Sequence, residues 1–319
     1  MLLIEKRDAN FNYLFDKVVF EENPEILNYD FIVAGGFPIF CWQLSNLMDF
    51  KPFKMKVVTA LSKRKAHYNN IINEMFKLDY GDIDFWLLDN NLKDEHKFLL
   101  EDNPKVNPLD LYINGKNCPK YSLGGSQLMT YKSTKWANTF RQHLYSINNT
   151  IQIIKKHPKD VPDLFKDFDF ENSKFAFYNG KLIYSKEAAE AFDRQELVLS
   201  NPRVFINNSL AGKVYACLRA FKYAKRHLLE FDKQLSSLVF NIMIEACTMQ
   251  ENDYEDYMNN CYMKTKCDSD TFFSMVDALM NNLLLFSEMK NYEKHWSAFF
   301  LDNPKSKSLF DKGNVNQIF

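Results

Sequence analysis

The chain has 319 residues, with 40 Lys+Arg against 41 Asp+Glu, a formal net charge of -1, 46% hydrophobic residues and 9 glycines. Average usage would place roughly 22 glycines in such a chain, so collagen-like, linker-rich and long disordered designs are excluded. Balanced charge excludes a globally basic nucleic-acid coat but leaves room for a local polyanion site, and the length suffices for about two domains with cores of their own.

Residues 31–34 (Phe-Ile-Val-Ala) form a β-type run that stops at Gly35-Gly36; Pro38 and the apolar stretch 39–48 follow, a strand, glycine turn and helix. Lys51, Lys54, Lys56, Lys63, Arg64, Lys65 and His67 make a basic stretch that could contact RNA or simply cover a helix and its loop, and Ile71, Ile72, Met75 and Phe76 continue at helical spacing. The acid/apolar alternation from Asp82 to Phe85 predicts a strand. Residues 90–132, polar and interrupted by Pro104, Pro108, Pro119 and Gly124-Gly125, read as an irregular insertion. A helix is expected over 134–148 and strands over 150–156 and 167–178, the latter closed by the hairpin signal Asn179-Gly180 and the short run 181–184. After Ser185 apolar residues recur at helical spacing over 186–198, 209–230, 232–249 and 270–290, with no strand among them. The expected class is α+β: a mixed-sheet domain over 1–190, with an insertion at about 90–132, and an all-α domain over 191–319.

Six cysteines without a short repeated spacing indicate reduced thiols and no disulfide partner. With no signal-peptide-like apolar core near Met1 and no run of about 18 apolar residues, the expectation is an intracellular, cytoplasmic protein outside the membrane.

The sharpest chemical feature is Asp82-Ile83-Asp84. On a strand, side chains at i and i+2 share a face, so the two carboxylates project together while Ile83 and Phe85 turn to the core. Like charges so close repel unless a cation holds them, and Mg²⁺ takes one or two carboxylates plus substrate phosphates. The same spacing also serves as the solvent-facing row of an edge strand. Gly35-Gly36 would let the backbone approach a phosphate at a helix N-terminus, or is an ordinary tight turn. Asp167 and Asp169 share a face of the later strand, and Asp169, deeper in it, could complete a metal cluster and take a proton from an attacking hydroxyl. Arg219, Lys222 and Arg226 fall on one face of a helix and could reach triphosphate oxygens or simply be solvated.

Taken together, Gly35-Gly36 on a strand-to-helix turn, Asp82-x-Asp84 on a strand and Asp169 on a later strand resemble the polymerase β-type nucleotidyltransferase superfamily. From Gln152 to Arg226 the chain is similar to a branch met in large viruses and phages: an Ile-Gln-Ile-Ile strand, Phe168-Asp169-Phe170 with Ser173-Lys174, the hairpin at Gly180 and Arg219-x-x-Lys222-Tyr223-x-Lys225-Arg226. The resemblance implies that Gly35 and Gly36 hold a nucleoside triphosphate, that Asp82 and Asp84 bind two Mg²⁺ ions, and that Asp169 is third ligand and base. It also places the helix of Arg219, Lys222 and Arg226 beside the nucleotide. Phe37 stands where many members carry a phosphate-contacting serine. The long interval from Gly36 to Asp82 makes 49–79 an insertion or puts the turn elsewhere; Gly124-Gly125-Ser126 is a closer local match but has no acidic pair before Asp160.

The implied activity is Mg-dependent transfer of a nucleoside monophosphate from ATP or another triphosphate to a hydroxyl of an RNA 3′ end such as tRNA, a small molecule or a protein. The alternative is a virion or interaction protein that keeps the fold without turnover; a nuclease using the same acids is a third reading.

Overall fold

The computed structural model describes residues 1–20, 23–48, 82–88, 91–101, 120–123, 126–144, 147–227, 229–251, 253–255 and 267–286. The basic stretch at 51–67, the helical period at 71–76, Gly81 and Gly124-Gly125 lie outside them. The chain is a mixed α/β protein that divides into two units. The first holds Met1–Asp167 and Ser173–Ala188; the second holds Phe168–Asn172 and the chain from Ala189 onward.

The first unit is built on a nine-stranded sheet of β1 (Leu3–Lys6), β2 (Phe31–Ala34), β3 (Ile83–Leu87), β4 (Lys120–Leu123), β5 (Ser126–Ser133), β6 (Ala137–Leu144), β7 (Ile147–Ile154), β8 (Phe175–Tyr178) and β9 (Lys181–Ser185). Their order is β1-β9-β8-β2-β3-β7-β6-β5-β4, and only β3 and β7 pair in parallel. Val33 lies opposite Phe85 and Phe177, so one face gathers aromatic side chains. Helices α1 (Ala9–Phe15) and α2 (Gly36–Met48) cover that face. Phe15 stacks on Phe177 at 4.3 Å and meets Phe37 edge-on at 5.1 Å, and Trp42 packs on Phe175 at 4.8 Å. Each fully buried ring of this kind contributes about 1.5–3 kcal/mol relative to exposure. The hairpin between β8 and β9 turns at Asn179 (φ 50°) and Gly180 (φ 70°), the two positive φ values that a two-residue turn needs.

Two expectations fail here. The predicted helix over 134–148 is instead the strand β6 and the start of β7, paired residue by residue from Ala137↔Ile154 to Leu144↔Ile147. The supposedly irregular 90–132 contains a 3₁₀ turn (Asp94–Leu99) and the strands β4 and β5, paired from Lys120↔Met129 to Leu123↔Ser126. The turn at 94–99 is anchored by His96, buried between the Glu25 carboxylate at 2.8 Å and the Tyr29 hydroxyl.

A short α3 (Val161–Phe165) follows β7, and α4 (Lys186–Asp193) carries the chain across the division between units. The second unit then comprises β10 (Glu196–Leu197), α5 (Arg203–Ile206), α6 (Leu210–His227), β11 (Glu230–Phe231), α7 (Lys233–Thr248) and α8 (Ser269–Phe286). Helix α6 packs against α5, α7 and α8 and buries Val214, Cys217, Phe221 and Ala224, spaced to share one face. Asp232 caps α7 by accepting from the Leu235 amide at 2.7 Å. The expectation of an all-α second domain is corrected by β10 and β11, a two-stranded parallel pair. Cys41, Cys217, Cys247 and Cys267 are free thiols; burial raises Cys41 and pushes Cys217 up to about 12. Among the described residues no helix is long and apolar enough to cross a membrane.

Candidate active site

The sheet register brings the glycine turn and the acidic pair together. Antiparallel pairing of β2 with β3 sets Ala34, the last residue before the turn, opposite Asp84. Gly35 then takes φ +90°, a left-handed conformation that L side chains rarely adopt, and a Cβ placed there would sit 3.4 Å from Asp84 Oδ2. The Gly35 amide donates to the Phe175 carbonyl at 3.1 Å, which ties the turn to β8. Helix α2 starts at once with Gly36, and the Ile39 amide donates to the Gly35 carbonyl. First-turn amides of a helix point outward with no intrahelical acceptor, and the macrodipole adds a partial positive charge there. Pro38 supplies no amide and fits the first turn.

Asp82 immediately precedes β3 and shares the face of Asp84; both are half-buried, and Ile83 and Phe85 are buried on the other face. Asp82 Oδ2 accepts from Gln152 Nε2 at 2.7 Å, and Gln152 lies opposite Asp84 on the parallel neighbour β7. Thus both acids, the glycine turn and the start of α2 meet at one end of the central strands β2 and β3. The long 49–79 interval between the turn and the acids does not separate them. Phe37 is fully buried against Phe15 and Phe40, so the side chain after the glycine pair serves the core.

Asp169 is placed otherwise than expected. It lies on no strand: it belongs to the connection after α3, where its carbonyl accepts from the Ser200 and Asn201 amides at 2.8 and 3.1 Å and Phe170 makes an isolated bridge to Leu199. The strand that was to carry it begins only at Phe175 and lies beside β2, while β7 occupies the position next to β3. Its side chain, 8% exposed, forms an ion pair with Arg219 of α6, Oδ2 to Nη1 2.6 Å. Burial raises its pKa, and the Arg219 charge offsets part of that rise. Both partners belong to the second unit. Of the other two candidate cations on α6, Lys222 is exposed, and Arg226 lies over the Tyr223 ring at 5.9 Å.

Among the described residues no three His, Cys, Asp or Glu side chains gather as a metal group. The pair Asp82 and Asp84 is the donor set that fits a hard cation, since Mg²⁺ is commonly held by one or two carboxylates and completed by phosphate oxygens and water.

Sequence reasoning missed a cavity of about 330 Å³ on the same sheet face, lined by Trp86, Gln152, Thr139, Lys132, Trp136 and Lys156 among others. A sequence signal existed: the cation and aromatic side chains of Lys132, Lys135 and Trp136 sit within five residues.

No family model matches the sequence, and no curated protein does. Among solved structures the chain is similar to a "tRNA-processing enzyme (apo form I)" at 11% identity and a TM-score of 0.36, over 85% of this chain and 57% of that one. The chain therefore spans little more than half the length of that structure.

Proposed function

We propose that the protein is a metal-dependent nucleotidyltransferase of the polymerase β type, with its nucleotide at the Gly35 turn and its metal on Asp82 and Asp84. The observation that carries this reading is the placement of Asp84 beside the Gly35 turn. A turn at φ +90°, which L side chains rarely adopt, stands at a helix N-terminus with the Asp84 carboxylate next to it. Phosphates attracted to the first-turn amides would meet a carboxylate there, and two anions share such a corner only with a cation between them.

In this reading Gly35 and Gly36 leave room for the triphosphate, and Asp82 and Asp84 hold Mg²⁺. The cation supplies charge neutralisation and alignment for an in-line displacement. Gln152 fixes the Asp82 carboxylate by donating to it. The acceptor hydroxyl oxygen bonds to the α-phosphorus, the bond to the β-phosphate bridging oxygen breaks, and pyrophosphate leaves with the electron pair. The hydroxyl proton passes to solvent water; Asp169, which the resemblance names as third carboxylate and base, is paired with Arg219 within the second unit, where Lys222 and Arg226 also lie.

Transfer of label from α-³²P-labelled ATP, GTP, CTP or UTP onto cell-extract RNA, protein or small molecules tests it. Mg²⁺-dependent transfer by the wild type, lost in Asp82→Ala plus Asp84→Ala, is expected. Cleavage of nucleic acid without added triphosphate would replace the reading by a nuclease.

A further inference from the structure

The cavity beside the acidic pair has a composition that suits one kind of acceptor. Strand pairing lines up one row of residues across the sheet: Ala34, Asp84, Gln152, Thr139 and Lys132, on β2, β3, β7, β6 and β5 in turn. Lys132 is thus three strand spacings from Asp84, about 14 Å at the backbone. The next row on that face runs Trp86, Ile154 and Ala137, so an indole lies two residues along β3 from Asp84. Gln152 joins the two places, for it lines the cavity and donates to Asp82.

At the far side Trp136 is 65% exposed, yet its backbone is fixed. Its amide donates to Thr134 Oγ1 at 3.2 Å, its carbonyl accepts from the Lys155 amide at 2.8 Å, and the Lys135 ammonium lies 4.8 Å over its ring. A single exposed tryptophan is ordinary on a protein surface. Here a rigidly mounted one joins a second indole and two lysines around one cavity. Lys132 is exposed, and Lys156 is held by Asp167 in an ion pair whose members are both about half exposed, so it can exchange for a phosphate.

We infer that this groove holds the acceptor, and that the acceptor is a single-stranded nucleic acid whose terminal bases stack on Trp136 and Trp86 while Lys132 and Lys156 contact its phosphates. The inference rests on the nucleotidyltransferase reading only for what happens to the 3′ hydroxyl. The groove and its ligand stand on the sheet face itself. Indoles accept any base on their faces, and lysines track the backbone without reading sequence, so binding is sequence-tolerant and salt-dependent. A duplex, whose bases are already stacked, offers the indoles nothing.

Fluorescence anisotropy with a labelled ten-nucleotide single-stranded RNA, its DNA counterpart and a duplex, in EDTA and without triphosphate, tests the groove apart from catalysis. The full chain is expected to bind the single strands more tightly than the duplex. Trp136→Ala, at a surface position that leaves the core intact, should weaken that binding by about fivefold to a hundredfold. Lys132→Glu should weaken it and flatten its salt dependence, while Lys181→Ala, on β9 at the other side of the sheet, should keep it. Equal duplex binding, single-strand binding untouched by both groove variants, or binding of mononucleotides alone would overturn the inference. Loss of oligonucleotide binding with metal-dependent triphosphate binding intact would remove the groove and leave the proposed function. The reverse would remove the proposed function and leave the groove.

Discussion

Asp84 and Asp169 are both carboxylates assigned to the same chemistry, but they are held by different means. Asp84 is set by strand register opposite Ala34, beside the Gly35 turn; Asp169 is buried in the second unit and meets the guanidinium of Arg219, fifty residues further along the chain. The first kind of placement follows from local rules, alternation on a strand and a left-handed residue before a helix. The second depends on a tertiary ion pair that no local pattern announces. A carboxylate set by strand register keeps its place whatever happens in the second unit, whereas one buried against an arginine depends on that partner.

Substitutions that separate the two sites should therefore behave differently, and the largest effect is expected at the turn. Asp84→Ala should lower transfer on the order of 10² to 10³-fold or more, as removal of a group that stabilises developing charge does, with little change in melting temperature. A comparable fall in stability would mean that Asp84 is structural. At the other site, Arg219→Ala leaves Asp169 buried without its cation and should cost about 1–3 kcal/mol of unfolding free energy, less than a fully buried pair because Arg219 is partly exposed.

The pH dependence sharpens the same contrast. Burial holds the folded pKa of Asp169 above its ordinary value, so its contribution to stability is full below the unfolded carboxyl pKa and is lost as pH rises through the folded value. Without Arg219 the pKa rises further. Arg219→Ala should match the wild type most closely at acid pH and fall behind it as pH increases toward neutrality, read from denaturant melts across that range. A gap between the two that is constant with pH would contradict the assigned ion pair.

Gly35→Ala should cost about 1–2 kcal/mol for forcing a side chain into the left-handed region, and it should reduce transfer as well, since the new methyl group meets Asp84 Oδ2. Smallest of all, Lys181→Ala, which removes the exposed ion pair to Glu5 across β9 and β1, should change stability by less than about 1 kcal/mol and leave transfer unaltered.

These contrasts parallel what could be read from the sequence. The turn at Gly35, the Asp82-Ile83-Asp84 alternation and the Asn179-Gly180 hairpin rest on residues whose conformational preferences are local, and each has the expected geometry. Strand β6 was hidden because its alternation is masked: Asn138 and Thr139 are buried beside Ala137 and Phe140, with the Asn138 amide donating to the carbonyls of Leu99 and Glu101. Asp167-Phe-Asp-Phe170 alternates as a strand would, but the Asp169 carbonyl is taken by the amides of Ser200 and Asn201 instead of a ladder. The groove was out of reach for a related reason. Lys132, Gln152 and Asp84 become neighbours only through three strand pairings, and register between distant strands is not written in any one of them.

The most direct test of the central claim, that Asp82 and Asp84 at the Gly35 turn hold a metal-bound nucleotide, is calorimetric titration of the full chain with each of the four ribonucleoside triphosphates. The account predicts binding of at least one of them in Mg²⁺ that vanishes in EDTA and in the variant carrying both Asp82→Ala and Asp84→Ala. Binding that survives both treatments, or none in Mg²⁺ by the folded wild type, would contradict it.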